Sequence, residues 1–190
     1  MRYLLLVLAV ALAFPPEALA HPGHAGPSFG GGLAHPLSGV DHLLAMLAVG
    51  LWAGQIGGRA RWILPGAFVL VMAGGGWLGM TGVPLPGVEA GIAASVLLLG
   101  LLVATAAKWP LIAATPLVAA FALLHGHAHG TEFPAAASAV GYVGGFVAAT
   151  AALHAVGLAI SALASGQGRA VWLRLGGAGI ALAGLVIALA

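Results

Sequence analysis

The sequence predicts an all-α membrane protein, a bundle of six transmembrane helices after a cleaved N-terminal signal peptide, and three observations carry the prediction. Of 190 residues, 62% are hydrophobic and only 5% are charged, against roughly 25% charged in a soluble domain. The apolar residues fall into long stretches separated by Gly, Pro and the few charges, and about 20 such residues cross a bilayer as a helix. The chain has no Cys and eight His, so the polar chemistry it carries is imidazole and carboxylate chemistry.

The first twenty residues have the form of a leader. Arg2 precedes the apolar run Tyr3–Phe14, and Ala18-Leu19-Ala20 makes a small-x-small site before His21. The run ends at Pro15-Pro16 and is short for a span. Cleavage exposes His21-Pro22-Gly23-His24, and residues 21–32, rich in Gly, are expected to be a flexible extracytoplasmic lead-in. Residues 33–190 then form the transmembrane domain, with spans expected at Leu33–Gly54, Trp62–Met80, Val88–Ala107, Trp109–Leu124, Pro134–Leu163 and Val171–Ala190.

Lys and Arg mark cytoplasmic loops. With the mature N-terminus outside, Arg59 and Arg61 fall in the first inner loop and Lys108 in the second. Arg169 falls in the third, with Arg174 just beyond it. The outer connections Thr81–Gly87 and His125–Phe133 hold no Lys or Arg, and both termini are outside. The basic residues are dispersed, which excludes a nucleic-acid footprint. Small residues, as in Gly74-Gly75-Gly76 and Gly141 with Gly145, point to closely packed helices.

Ionisable side chains inside a membrane are costly and mark function. At the outer end of the first span lies His35-Pro36-Leu37-Ser38-Gly39-Val40-Asp41-His42, with Met46 one turn below His42. Pro36 suits a first helical position. In regular helix His35 and His42 share a face but stand about 10 Å apart along the axis, too far for one ion at about 2.1 Å from each. Either Gly39 breaks the helix and folds His35 back, or the two are successive stations. Asp41 faces a neighbouring helix or orients a ligating imidazole. The second segment, His125-Gly126-His127-Ala128-His129-Gly130-Thr131-Glu132, closes the fourth span on the same side; as helix it puts His125 and His129 on one face. Glu89 opens the third span at similar depth, and His154 lies deep in the fifth, toward the cytoplasmic half.

These two segments, with Val49 and Gly50 after Met46, resemble the HupE/UreJ family of nickel permeases associated with hydrogenase and urease systems. The resemblance covers the leader and all six spans. The His-x5-Asp-His spacing is also similar to the His-x4-Asp-His signature of another nickel/cobalt permease family. It implies an inner-membrane permease for Ni²⁺ or Co²⁺ with metal-selecting roles for His35, Asp41 and His42, and ligand roles for Glu89, His125, His127, His129, Glu132 and His154. The donor set by itself suits Ni²⁺, Co²⁺, Zn²⁺ or Cu²⁺.

The partners are the lipid bilayer and a divalent metal ion. No prosthetic group is implied, and a homo-oligomer or accessory metal-delivery proteins stay open. No Gly-x4-Gly-Lys-Ser/Thr occurs, so the chain carries no nucleotide-binding loop of that kind. Two other classes compete: an intramembrane zinc hydrolase using Ser38, Asp41 and several His, and a periplasm-facing metal-binding accessory protein using His21, His24 and the His125–His129 segment.

Overall fold

The computed structural model describes residues 28–133, 139–164 and 170–190; the expected leader, His21, His24 and Arg169 lie outside them. The described residues form seven helices and no strand: α1 (Phe29–Ser38), α2 (Val40–Ile56), α3 (Ala60–Met80), α4 (Val88–Thr105), α5 (Leu111–Thr131), α6 (Ala139–Leu163) and α7 (Ala170–Leu189). Helices α3 to α7 are each long and apolar enough to cross a membrane. Helices α1 and α2 together make a sixth candidate, bent by 88°. The protein is a multi-pass membrane protein.

The first span is broken at Gly39, one of the two alternatives that the His35–His42 spacing left open. Helix α1 starts at Phe29, with the Ser28 hydroxyl accepting from the Gly31 N–H at 3.3 Å, so Phe29–Gly32 are helix rather than lead-in. Pro36 sits inside α1 and not at its start. The chain then turns through Gly39, which is extended (φ −94°, ψ 116°). Two features favour a break here. Pro36 removes one backbone donor, and the Ser38 hydroxyl donates to the His35 carbonyl at 2.6 Å, satisfying an acceptor that the ended helix leaves open. A Cβ at Gly39 would stand 2.9 Å from Asp41 Oδ1 and 3.1 Å from His42 Nδ1, so glycine also leaves room for that pair.

Helix α5 extends seven residues past the expected Leu124 and carries all three of its histidines as helix, where an outer loop was expected. Two Gly in seven residues weaken a helix on propensity alone. The compensation is tertiary: α3 crosses α5 so closely that a Cβ on Gly126 would collide with the Met72 carbonyl, and one on Gly130 with that of Gly76. Gly75 and Gly79 supply the matching surface of α3, a small-x-x-x-small packing that replaces the missing hydrophobic drive in lipid.

Helix α2 is the centre of the bundle, contacting α3, α4, α6 and α7, and it buries Ala45, Met46, Ala48, Val49, Leu51, Trp52 and Ala53 on all sides. At its C-terminal end Trp52 Nε1 donates to Ala107 O (2.8 Å) and Gln55 Nε2 to Val103 O (3.0 Å), while Arg174 Nε donates to Ala104 O (2.9 Å). These donors satisfy carbonyls that the end of α4 leaves without intrahelical partners. Arg59, Arg61, Lys108 and Arg174 all belong to this end, and the histidine cluster belongs to the other.

Candidate metal centre

The 88° bend carries His35 back toward α5. His35 Nε2 lies 3.2 Å from Glu132 Oε2, and the His35 ring is 4.6 Å from that of His129, centroid to centroid. Ligand atoms of His35, His129 and Glu132 all lie within 4.8 Å of one another. On the other side of His129, 4.1 Å away, is His42, and 4.6 Å beyond His42 is His125. The helical i, i+4 spacing puts His125 and His129 on one face of α5, and the break at Gly39 lets two residues seven apart both reach that face. Of the two alternatives for His35 and His42, the structure shows the fold-back at Gly39, and the four imidazoles lie in a row.

Burial increases along that succession. The Glu132 side chain is 63% exposed and His35 27%, His129 and His42 are buried, and His125 is 0% exposed. Asp41 Oδ1 accepts from both the N–H and Nδ1 of His42 at 2.7 Å. A carboxylate only accepts, so His42 donates through Nδ1, and Nε2 is its other ring nitrogen. That Nε2 is buried without a hydrogen-bond partner, as are Nδ1 of His125 and both ring nitrogens of His129. His125 Nε2 is 2.8 Å from the Ser95 hydroxyl. The Phe146 ring lies 4.2 Å from that of His129 and walls the site on the α6 side.

His154 stands deeper. Its Nδ1 donates to the Met46 carbonyl at 2.7 Å, and its Nε2 is buried with no partner. Phe68, fully buried, separates it from the cluster, 5.8 Å from His125 and 5.1 Å from His154.

The model of the family described as HupE / UreJ protein matches residues 8–187. The chain belongs to that family. It is 50% identical over 177 residues to Protein HupE of Rhizobium leguminosarum bv. viciae, covering 93% of each chain. No solved structure matches it. The His35–His42 and His125–Glu132 segments, on which the HupE/UreJ resemblance rests, are thus the same segments that the fold brings together at one end of the bundle.

Three sequence candidates of this HupE/UreJ chain stand apart from the ring cluster. Glu89 is exposed in the first turn of α4, where an acid complements the helix dipole. His127 points to the α3–α4 connection, its Nε2 donating to Val83 O at 2.7 Å; on a helix it lies about 200° from both His125 and His129. Met46 is fully buried in the core, and its backbone carbonyl holds His154 Nδ1. Ser38, a candidate nucleophile in the hydrolase reading, spends its hydroxyl proton on the His35 carbonyl. Residues not singled out from the sequence are Ser95, Phe68 and Phe146. Ser95 had a signal, being the lone hydroxyl in the apolar run Ile92–Ala104; Phe68 and Phe146 had none.

The geometry of His127 gives a first expected result. His127→Gln, whose amide also donates, is expected to cost about 1 kcal/mol or less of stability. Thermal unfolding measures this, and a larger loss would show that the Val83 carbonyl contact needs the imidazole.

Proposed function

We propose that the chain is a permease that carries a divalent transition-metal ion, Ni²⁺ or Co²⁺, from outside to the cytoplasm across the inner membrane. The observation that supports this most is the row of buried ring nitrogens without hydrogen-bond partners: Nε2 of His42, Nδ1 of His125, both nitrogens of His129, of which a neutral ring protonates one, and Nε2 of His154. An unpaired buried polar atom costs about 1–3 kcal/mol, and a passing cation supplies a partner for the lone pairs among them. Glu132 and His35 form the exposed entrance, with His129 as their third ligand. His42, oriented by Asp41, and His125 follow, and His154 is the inner station beyond Phe68. Several stations of modest strength let an ion enter and still leave.

Orientation rests on charge. The described Lys and Arg gather at the end opposite the histidines, the cytoplasmic end by the positive-inside pattern. Inward movement then gains about 4.6 kcal/mol per 100 mV for a divalent ion. Choice of Ni²⁺ follows the family resemblance, since imidazole and carboxylate donors also accept Zn²⁺ and Cu²⁺. The depth of His154, past an apolar ring, favours a path over a hydrolytic centre, which needs its ligands around one open position.

Proteoliposomes loaded with a metal indicator test this with Ni²⁺, Co²⁺, Zn²⁺ and Cu²⁺ in turn. Wild type is expected to admit Ni²⁺ and Co²⁺, and His42→Ala to slow that flux about 10- to 100-fold. Tight stoichiometric Zn²⁺ with no flux of any ion would overturn the permease reading.

A further inference from the structure

Ser95 lies on α4, fully buried and outside both histidine segments. Its hydroxyl oxygen is 2.7 Å from the Ile92 carbonyl and 2.8 Å from His125 Nε2. A hydroxyl has one proton to give and two lone pairs to offer. If that proton goes to the Ile92 carbonyl, the Ser95 oxygen accepts from His125 Nε2–H, and both close contacts are hydrogen bonds. If it goes to Nε2 instead, the Ile92 contact is lost and His125 must carry its proton on Nδ1, a buried atom with no acceptor. The first arrangement makes one more bond and strands only a lone pair, where the second strands a donor, and buried polar groups are costly to leave unpaired.

We propose that Ser95 is a positioning residue for the metal path: by holding His125 Nε2–H it fixes the tautomer and presents Nδ1 as the metal-binding atom. This rests on the reading of His125 as a station for a divalent cation. The same logic operates beside it with the opposite nitrogen. Asp41 holds Nδ1 of His42 and leaves Nε2 bare, and the Met46 carbonyl does so for His154. A ligating imidazole whose second nitrogen is held by a hydrogen bond is pre-oriented, and loss of such a partner weakens metal binding about 10- to 100-fold. Two helices, α2 and α4, thereby supply the groups that set which nitrogen each imidazole offers.

The test uses the full-length protein in nanodiscs with Ni²⁺ alone as the probe. Nitrogen NMR of histidine-labelled, metal-free wild type, with the His125 signals assigned from His125→Asn, is expected to show the proton on Nε2. Ser95→Ala is expected to weaken Ni²⁺ binding about 10- to 100-fold, and Ser95→Thr, which keeps a hydroxyl, to recover most of it. In a His125→Ala background Ser95→Ala is expected to change nothing further, because the effect passes through His125. A proton on Nδ1, wild-type affinity in Ser95→Ala, or an equal loss without His125 overturns the assignment. A proton on Nδ1 with normal Ni²⁺ binding sinks the Ser95 role alone. Absence of Ni²⁺ binding in wild type sinks the permease reading and the metal role of Ser95 with it. The wild-type spectrum decides the tautomer even if the Ser95 variants do not fold.

Discussion

His129→Ala is expected to reduce Ni²⁺ flux to the level of empty liposomes while the protein still inserts and unfolds cooperatively. His129 is the junction of the row: its ring is 4.6 Å from His35 and 4.1 Å from His42, and among the described residues no other imidazole touches both the entrance and the buried pair. It is the third member of the entrance group with His35 and Glu132, and both of its ring nitrogens are buried without partners. Removing it leaves no stepping point between the half-exposed His35 and the buried His42. A metal ion must then cross an apolar gap beside Phe146 with fewer ligands, and uncompensated charge in a low-dielectric interior is costly. The fold should tolerate the change, because His129 makes no hydrogen bond through its ring that the substitution would break. Flux in proteoliposomes and thermal unfolding in detergent are the two measurements. Retained flux in a folded His129→Ala protein would detach the entrance from the buried stations and rule out this route.

How much of this was legible in the sequence depended on whether a feature was local. Apolar stretches and sparse charge are properties of consecutive residues, so five of the expected stretches overlap the apolar helices α3 to α7. The pairing of His125 with His129 followed from helical periodicity, as did the seven-residue separation that made His35 and His42 a puzzle. The direction of the bend was not legible, because it depends on α6 receiving α1: a Cβ on Gly32 would run into the Tyr142 carbonyl, and one on Gly145 into that of Phe29. The helical state of His125–Thr131 was hidden for the same reason, since local propensity argues against it and the packing against α3 is long-range. His127 was grouped with its neighbours by composition, and separating it needed the Val83 carbonyl, 44 residues away. The Ser95 contact, too, joins two helices, and chain spacing carries no trace of it.

The α3–α5 crossing should therefore be where a single methyl group does the most damage. Gly126→Ala is expected to destabilise the protein by several kcal/mol and to abolish Ni²⁺ uptake, whereas Gly74→Ala, on the same pair of helices, is expected to be neutral or stabilising by up to about 1 kcal/mol. The added Cβ at 126 would fall onto the Met72 carbonyl, with the Gly76 N–H 2.9 Å away, and both are backbone atoms that no side-chain rotation can move. At Gly74 a Cβ meets nothing within 4 Å. Overpacking a close contact costs about 1–3 kcal/mol or more when the neighbour cannot yield, and here the helices must separate. Separation moves α5 as a body, and His125 and His129 flank Gly126 and Gly130 on that helix, so their 4.6 Å and 4.1 Å approaches to His42 are lost together. Thermal unfolding and flux should consequently fall in parallel for Gly126→Ala and for Gly130→Ala, whose Cβ would strike the Gly76 carbonyl. If Gly126→Ala and Gly74→Ala unfold at the same temperature, the crossing is looser than described. The helical state of the histidine segment would then need another support.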